Sequence, residues 1–131
     1  MGVHHYHYHC NIYFTQCVTN PVTIPLGMEH GLLSNDQITA SSEEAGNWKN
    51  WGRLNSPGWC ASREVVSAFR IRKEPYHYFQ IDLLEPHVIC SVATQGKETK
   101  NPEERPEAVT SFYLKYSFKG DEWFRYHTVC V

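Results

Sequence analysis

Residues 109–123, VTSFYLKYSFKGDEW, set the tightest limit on what this chain can fold into. Phe112, Leu114, Tyr116 and Phe118 fall on one side of a period-two repeat, and Tyr113, Lys115 and Ser117 on the other. Side chains alternate across a strand, so the spacing predicts a strand with one apolar face. Gly120-Asp121 then offers a turn, and EWFRYHTV can return as the hairpin partner.

The same period recurs upstream. In YHYFQIDLL, Phe79, Ile81 and Leu83 alternate with Tyr78, Gln80 and Asp82, which predicts a half-buried strand. Glu85-Pro86 ends it, because proline cannot donate to a ladder. HVICSVATQG reads as the next strand, with Val88, Cys90 and Val92 on its inner face and Cys90 therefore a buried thiol. QITASS alternates weakly, and VVSAFRIRK fits either a short strand or an irregular crossing. Between these runs lie two polar connections, EEAGNWKNWGRLNSPGWCAS and KETKNPEERPEA, with the composition of loops. No segment carries a helical period over an ordinary helix length. Short strands joined by long polar loops predict an all-β fold, an antiparallel sandwich or barrel.

At 131 residues the chain makes one domain, large enough for a core. A net charge of −2 gives no global field to recruit nucleic acid. No apolar run reaches the length of a membrane span. The start, MGVHHYHYHCNIYFTQC, has neither a basic n-region nor a continuous apolar stretch, so it does not read as a secretion signal. Tyr6 stands where an acylation motif wants Ser or Thr. Residues 1–16 are His/Tyr-rich and read as a flexible terminal segment. The rival reading uses His4, His5, His7 and His9 as transition-metal ligands.

Five cysteines, Cys10, Cys17, Cys60, Cys90 and Cys130, include no CxxC pair. The zinc-ribbon and thioredoxin-like readings therefore fall away. In an oxidising compartment an odd count leaves one thiol over or reaching outside the chain. Cys130 could pair with Cys10 or Cys17, and spacing does not choose between them.

Catalytic signals are weak. Glu43-Glu44 and Glu103-Glu104 sit in polar loops, where adjacent carboxylates are ordinarily solvated. Asp82 reads as a structural acceptor, and His77 and His87 flank its strand with no third partner evident. No GxSxG, HExxH or phosphate-cradling glycine loop occurs. The expectation is a protein that is not an enzyme, with no cofactor and no metal site. What stands out instead is Trp48, Lys49, Asn50 and Trp51, crowded between Gly46 and Gly52. Exposed loop tryptophans suit sugar stacking, membrane insertion or a protein contact. The bland alternative is that one of the pair packs under a sheet. Trp59 and Trp123, each adjoining a strand or turn, read as core.

Five collinear segments resemble the discoidin domain family, the coagulation factor V/VIII C-type domain. They are Cys17 with PLGMEHGLLSNDQITASSE, then RLNSPGWCAS, then YFQIDLL with VICSVATQG as the family's paired strands, then VTSFYLKYSFKGDEW. Together they cover residues 17 to about 126. The resemblance implies a jelly-roll-like antiparallel β-sandwich of the galactose-binding-domain-like type, with hairpin loops, or spikes, at one end. It divides the chain into the segment 1–16 and a discoidin-type domain at 17–131. That domain is expected to be incomplete at its C-terminus, because the family's last strands and closing cysteine have no counterpart here.

Family members are extracellular or cell-surface binding and adhesion modules. The implied partners are a cell-surface or matrix protein, a glycan in the lectin-like case, or an anionic phospholipid surface. An accessory domain of a larger enzyme is the further alternative. The implied contacts lie on the spikes: Trp48, Lys49, Asn50, Trp51 and Arg53 on the first, Lys97, Lys100 and Arg105 on the second. For a glycan, Trp51 would stack while Asn50 and Arg53 supply hydrogen bonds. For a membrane, Trp48, Trp51 and Lys49 would supply apolar and cationic contacts.

Overall fold

In a computed structural model the chain is described over residues 2–5, 11–19, 22–62, 77–97, 101–103, 107–109 and 112–126, the first two of these and residues 22–23 as backbone. Eight strands form: β1 (Gly2–His5), β2 (Asn11–Thr19), β3 (Val22–Pro25), β4 (Ile38–Ala40), β5 (His77–Ile81), β6 (Ile89–Gln95), β7 (Phe112–Tyr116) and β8 (Phe124–Arg125). All recorded pairings are antiparallel. They make a five-stranded sheet ordered β4-β5-β1-β7-β8 and a three-stranded sheet ordered β3-β2-β6.

The core lies where the strand period predicts. His77, Phe79 and Ile81 of β5 are buried while Tyr78 and Gln80 are half-buried. Phe79 and Ile81 pack with Met28, Leu33, Ile38, Trp59, Ala61 and Leu114. Trp59 is 1% exposed, its ring centroid 5.3 Å from that of Phe79, and its Nε1–H donates to the Ser42 carbonyl at 2.9 Å. This satisfies the one polar atom of a large buried side chain. Asp82 lies just past β5 as a structural acceptor: its Oδ1 takes the Leu84 N–H at 2.8 Å. That turn holds Leu84 at φ 63°. The Asp82 backbone N–H donates to the Gln37 carbonyl and the Asp82 carbonyl accepts from Gln37 Nε2, closing the end of β5 against the turn that leads into β4.

Several expectations need correction. Gly2–His5 is the middle strand of the larger sheet, registered His5↔His77 on one side and His5↔Phe112 on the other. Asn11–Thr19 is the middle strand of the smaller sheet and runs across the expected boundary at residue 17. Its Ile, Tyr, Phe, Thr and Val residues are strong strand formers, a signal hidden by the His/Tyr composition next to it. The runs read as paired strands, β5 and β6, fall in different sheets.

Cys90 is exposed rather than buried, and its sulfur is in a disulfide. Val88 is likewise 68% exposed, because the inward positions of β6 are Ile89 and Val92 instead. Phe118 lies beyond the end of β7 and is 77% exposed, and Trp123 is half-buried. The β7–β8 hairpin does form, with Lys115↔Arg125 and Tyr116↔Phe124 paired. The VVSAFRIRK segment lies outside the described residues, as do His7 and His9.

Between the sheets is a cavity of about 1060 Å³, lined among others by Leu83, Ile89, Val92, Phe112, Leu114 and Tyr116.

Candidate binding end

Antiparallel register assigns each loop to an end of the larger sheet. Ala40↔Phe79 ends the β4–β5 pairing, and His77 at the start of β5 lies level with His5 and so with Phe112 at the start of β7. The loop leaving β4, residues 41–62, and the connection entering β7 therefore share one end. β6 delivers Lys97 there too, since the Asn55 N–H donates to Gln95 Oε1 at 2.9 Å across the end of β6. The opposite end carries residues 82–88 and 117–123.

The first spike, residues 43–52, is a fixed piece of backbone. Asn47 N–H bonds back to Glu44 O at 2.9 Å around Gly46, which sits at φ 79°. A single 3-10 turn follows over Lys49–Trp51, with Trp51 N–H on Trp48 O at 2.9 Å and Gly52 N–H on Lys49 O at 3.0 Å. Glu43 Oε1 accepts the Lys49 N–H at 2.8 Å, satisfying one of the amides that a helical turn leaves without a partner. Glu44 N–H bonds to Cys60 O, Cys60 N–H to Asn47 O and Gly58 N–H to Trp51 O, lacing the spike to the strand of chain that carries buried Trp59. Gly52 closes the spike where no other residue fits: a Cβ there would stand 2.5 Å from the Phe79 ring.

On this frame the expected contacts separate. Trp48 is 46% exposed and stands at the start of the 3-10 turn. Lys49 and Trp51 are half-buried beside it. Asn50 is turned inward, with its Oδ1 buried and without a hydrogen-bond partner. Arg53 points back into the protein. Its Nη1–H donates to Met28 O at 3.2 Å, and its Nη2 donates to Leu33 O at 2.6 Å and Asn35 Oδ1 at 2.9 Å. Partial burial lowers its pKa by desolvating the charged guanidinium. Lys97 is half-buried and its N–H bonds to Glu107 O at 2.8 Å, so the two ends of the second loop are joined. Lys100 and Arg105 lie outside the described residues.

Sequence reasoning did not anticipate Glu43 as the spike's internal acceptor, nor the role of Asn55. That residue adopts φ 57° and its Nδ2 donates to Glu29 Oε1 at 2.6 Å. An asparagine in a loop tolerates the left-handed region, so the RLNS stretch held a readable signal for a turn there.

The family model that matches this chain is the F5/8 type C domain, over residues 37–130. The chain belongs to that family. The match takes in the spike, the second loop and strands β4 to β8. The F5/8 type C domain is a β-sandwich of the discoidin type, consistent with two small antiparallel sheets and no α-helix among the described residues.

Relatives agree. Coagulation factor V of Bos taurus is 34% identical over 116 residues, covering 84% of this chain and 5% of that protein. Coagulation factor VIII of Mus musculus is 33% identical over 116 residues, 88% of this chain and 4% of that protein. Neuropilin-1 of Homo sapiens is 33% identical over 101 residues, 75% of this chain and 10% of that protein. The chain thus spans at most a tenth of the length of these relatives. No solved structure gives a significant match. Membership places this F5/8 type C domain among the binding modules of extracellular proteins.

Proposed function

We propose that this F5/8 type C domain binds a cell-surface or matrix ligand through the end that carries the first spike and the Lys97–Glu107 connection. The domain serves a secreted or cell-surface protein and binds rather than catalyses. The observation that carries the reading is Trp48: a large aromatic side chain, 46% exposed, on a backbone fixed by bonds from Glu43 and to Cys60. An aromatic group held ready on a rigid loop loses little conformational freedom on binding.

Among the ligand classes, a membrane surface is favoured on Trp48, an exposed interfacial aromatic. The two loops carry Lys49, Lys97, Lys100 and Arg105 together with Glu43, Glu44, Glu98, Glu103, Glu104 and Glu107, so charge does not contribute to the preference. The glycan arrangement of Trp51 with Asn50 and Arg53 is disfavoured, because Asn50 Oδ1 faces inward and the Arg53 guanidinium is engaged by three acceptors of its own chain. Flotation with phosphatidylserine-containing vesicles tests the reading. Wild type floats and a Trp48→Ala/Trp51→Ala double variant does not. Failure of wild type to float would sink the membrane ligand.

A further inference from the structure

The cavity between the sheets meets its two long walls differently. From β7 it touches Phe112, Leu114 and Tyr116, every second residue, which is how a space lies against the face of a strand. From β6 it touches residues 89–94 without a gap. Successive side chains of a strand point to opposite faces, so an unbroken run borders one space only where that space wraps the strand's edge. Ile89 and Val92 pack against the core, while Ala93 and Thr94 are exposed.

One edge of β6 is taken by β2, with Val92↔Phe14, Ala93↔Tyr13 and Thr94↔Ile12 in register. In the order β3-β2-β6 it is the outer strand, so the cavity runs along its other edge. β6 reads ICSVATQ and carries neither a charge nor a proline, two devices that commonly guard an exposed edge. The rim is apolar: Leu84 is 75% and Phe118 77% exposed, and both line the space. The charge at the cavity has one sign. The turn over residues 82–87 brings Asp82 and Glu85 to one end of it, and among the described residues no lysine or arginine lines it.

We propose that this cavity is a second binding site, which takes an extended polypeptide segment of a partner protein as an added strand along β6. The backbone of the segment pairs with the edge of β6. Its alternate side chains are apolar and point at Phe112, Leu114 and Tyr116, and a basic residue at one end meets Asp82 and Glu85. Strand addition of this kind draws affinity from main-chain hydrogen bonds and selectivity from the places for alternate side chains. The site is independent of the Trp48 end and of its ligand.

The test is titration of the full chain, followed by amide chemical shifts, with a blocked octapeptide that alternates valine and threonine between terminal lysines. Either strand direction then puts a lysine beside Asp82 and Glu85. A twin with terminal glutamates is the control. The amides of Val92, Ala93 and Thr94 are expected to shift while those of Trp48 and Lys49 stay in place. The lysine peptide is expected to bind roughly tenfold more tightly than its twin, and Glu85→Gln to reduce that preference to roughly threefold. Methylating the peptide nitrogens along one edge is expected to weaken binding at least roughly tenfold, and methylating those along the other edge to leave it unchanged. Equal binding by the two methylated peptides would overturn the strand pairing, and equal binding by the lysine and glutamate peptides would overturn the charge match. Absence of shifts in β6 with either peptide would overturn the site. A chain that sediments as a dimer and binds neither peptide would give the edge to a second copy instead.

Discussion

The Arg53 Nη2–H donates to the Leu33 carbonyl at 2.6 Å, and the same nitrogen donates to Asn35 Oδ1 at 2.9 Å. Arg53, expected as a ligand contact, links two loops of its own chain. Arginine suits this because its planar fork reaches several acceptors at once.

Arg53→Met should therefore act on stability before it acts on binding. Removing the fork leaves the Met28 and Leu33 carbonyls without that donor, at a cost of about 1–2 kcal/mol at this half-exposed position. Arg53→Lys keeps the charge and loses the fork, and should fall between the two. The midpoint of urea unfolding reads the order wild type, Lys, Met. Equal midpoints for all three would show that the clamp adds nothing.

Gly52→Ala should be disruptive out of proportion to one methyl group. The new Cβ would lie 2.5 Å from two atoms of the Phe79 ring, and Phe79 is 1% exposed against Trp59. Overpacking of this kind costs about 1–3 kcal/mol. The same urea titration checks it, and a loss under a few tenths of a kcal/mol would mean that the spike's base gives way easily.

Glu43→Ala should loosen the spike locally. The carboxylate holds the Lys49 amide at 2.8 Å, so its removal frees the first amide of the 3-10 turn. Hydrogen exchange at Lys49 should accelerate while exchange in β5 stays as in wild type, because β5 takes its bonds from β4 and β1.

Trp59→Phe separates packing from hydrogen bonding in the core. The ring contact with Phe79 is largely kept, but the Nε1–H to Ser42 O bond at 2.9 Å is lost. The expected cost is about 1–2 kcal/mol, against about 3–5 kcal/mol for Trp59→Ala. Equal losses would mean that the indole N–H carries the whole effect.

Strands with a strict period of two were legible: Phe79, Ile81 and Leu114 are buried where alternation put them. β1 and β2 were hidden because their identity as central strands comes from partners far along the chain, such as His77 and Gln95. Cys90 was misplaced because β6 does not keep a simple alternation; only Ile89 and Val92 reach the core. In the site, Trp48 was legible as an aromatic residue in a polar loop. The inward turn of Arg53 and Asn50 was not, since it depends on carbonyls and packing that no local pattern encodes.

The proposed contact surface is the end bearing Trp48. The opposite end is a fair rival, with Leu84 75%, Val88 68% and Phe118 77% exposed. Amide chemical-shift mapping with phosphatidylserine nanodiscs tests the choice most directly. Binding through the spike end gives perturbation and broadening at Trp48, Lys49 and Lys97, with Leu84, Val88, Phe118 and Lys119 unchanged. Perturbation centred on Leu84, Val88 and Phe118, with Trp48 silent, would contradict it.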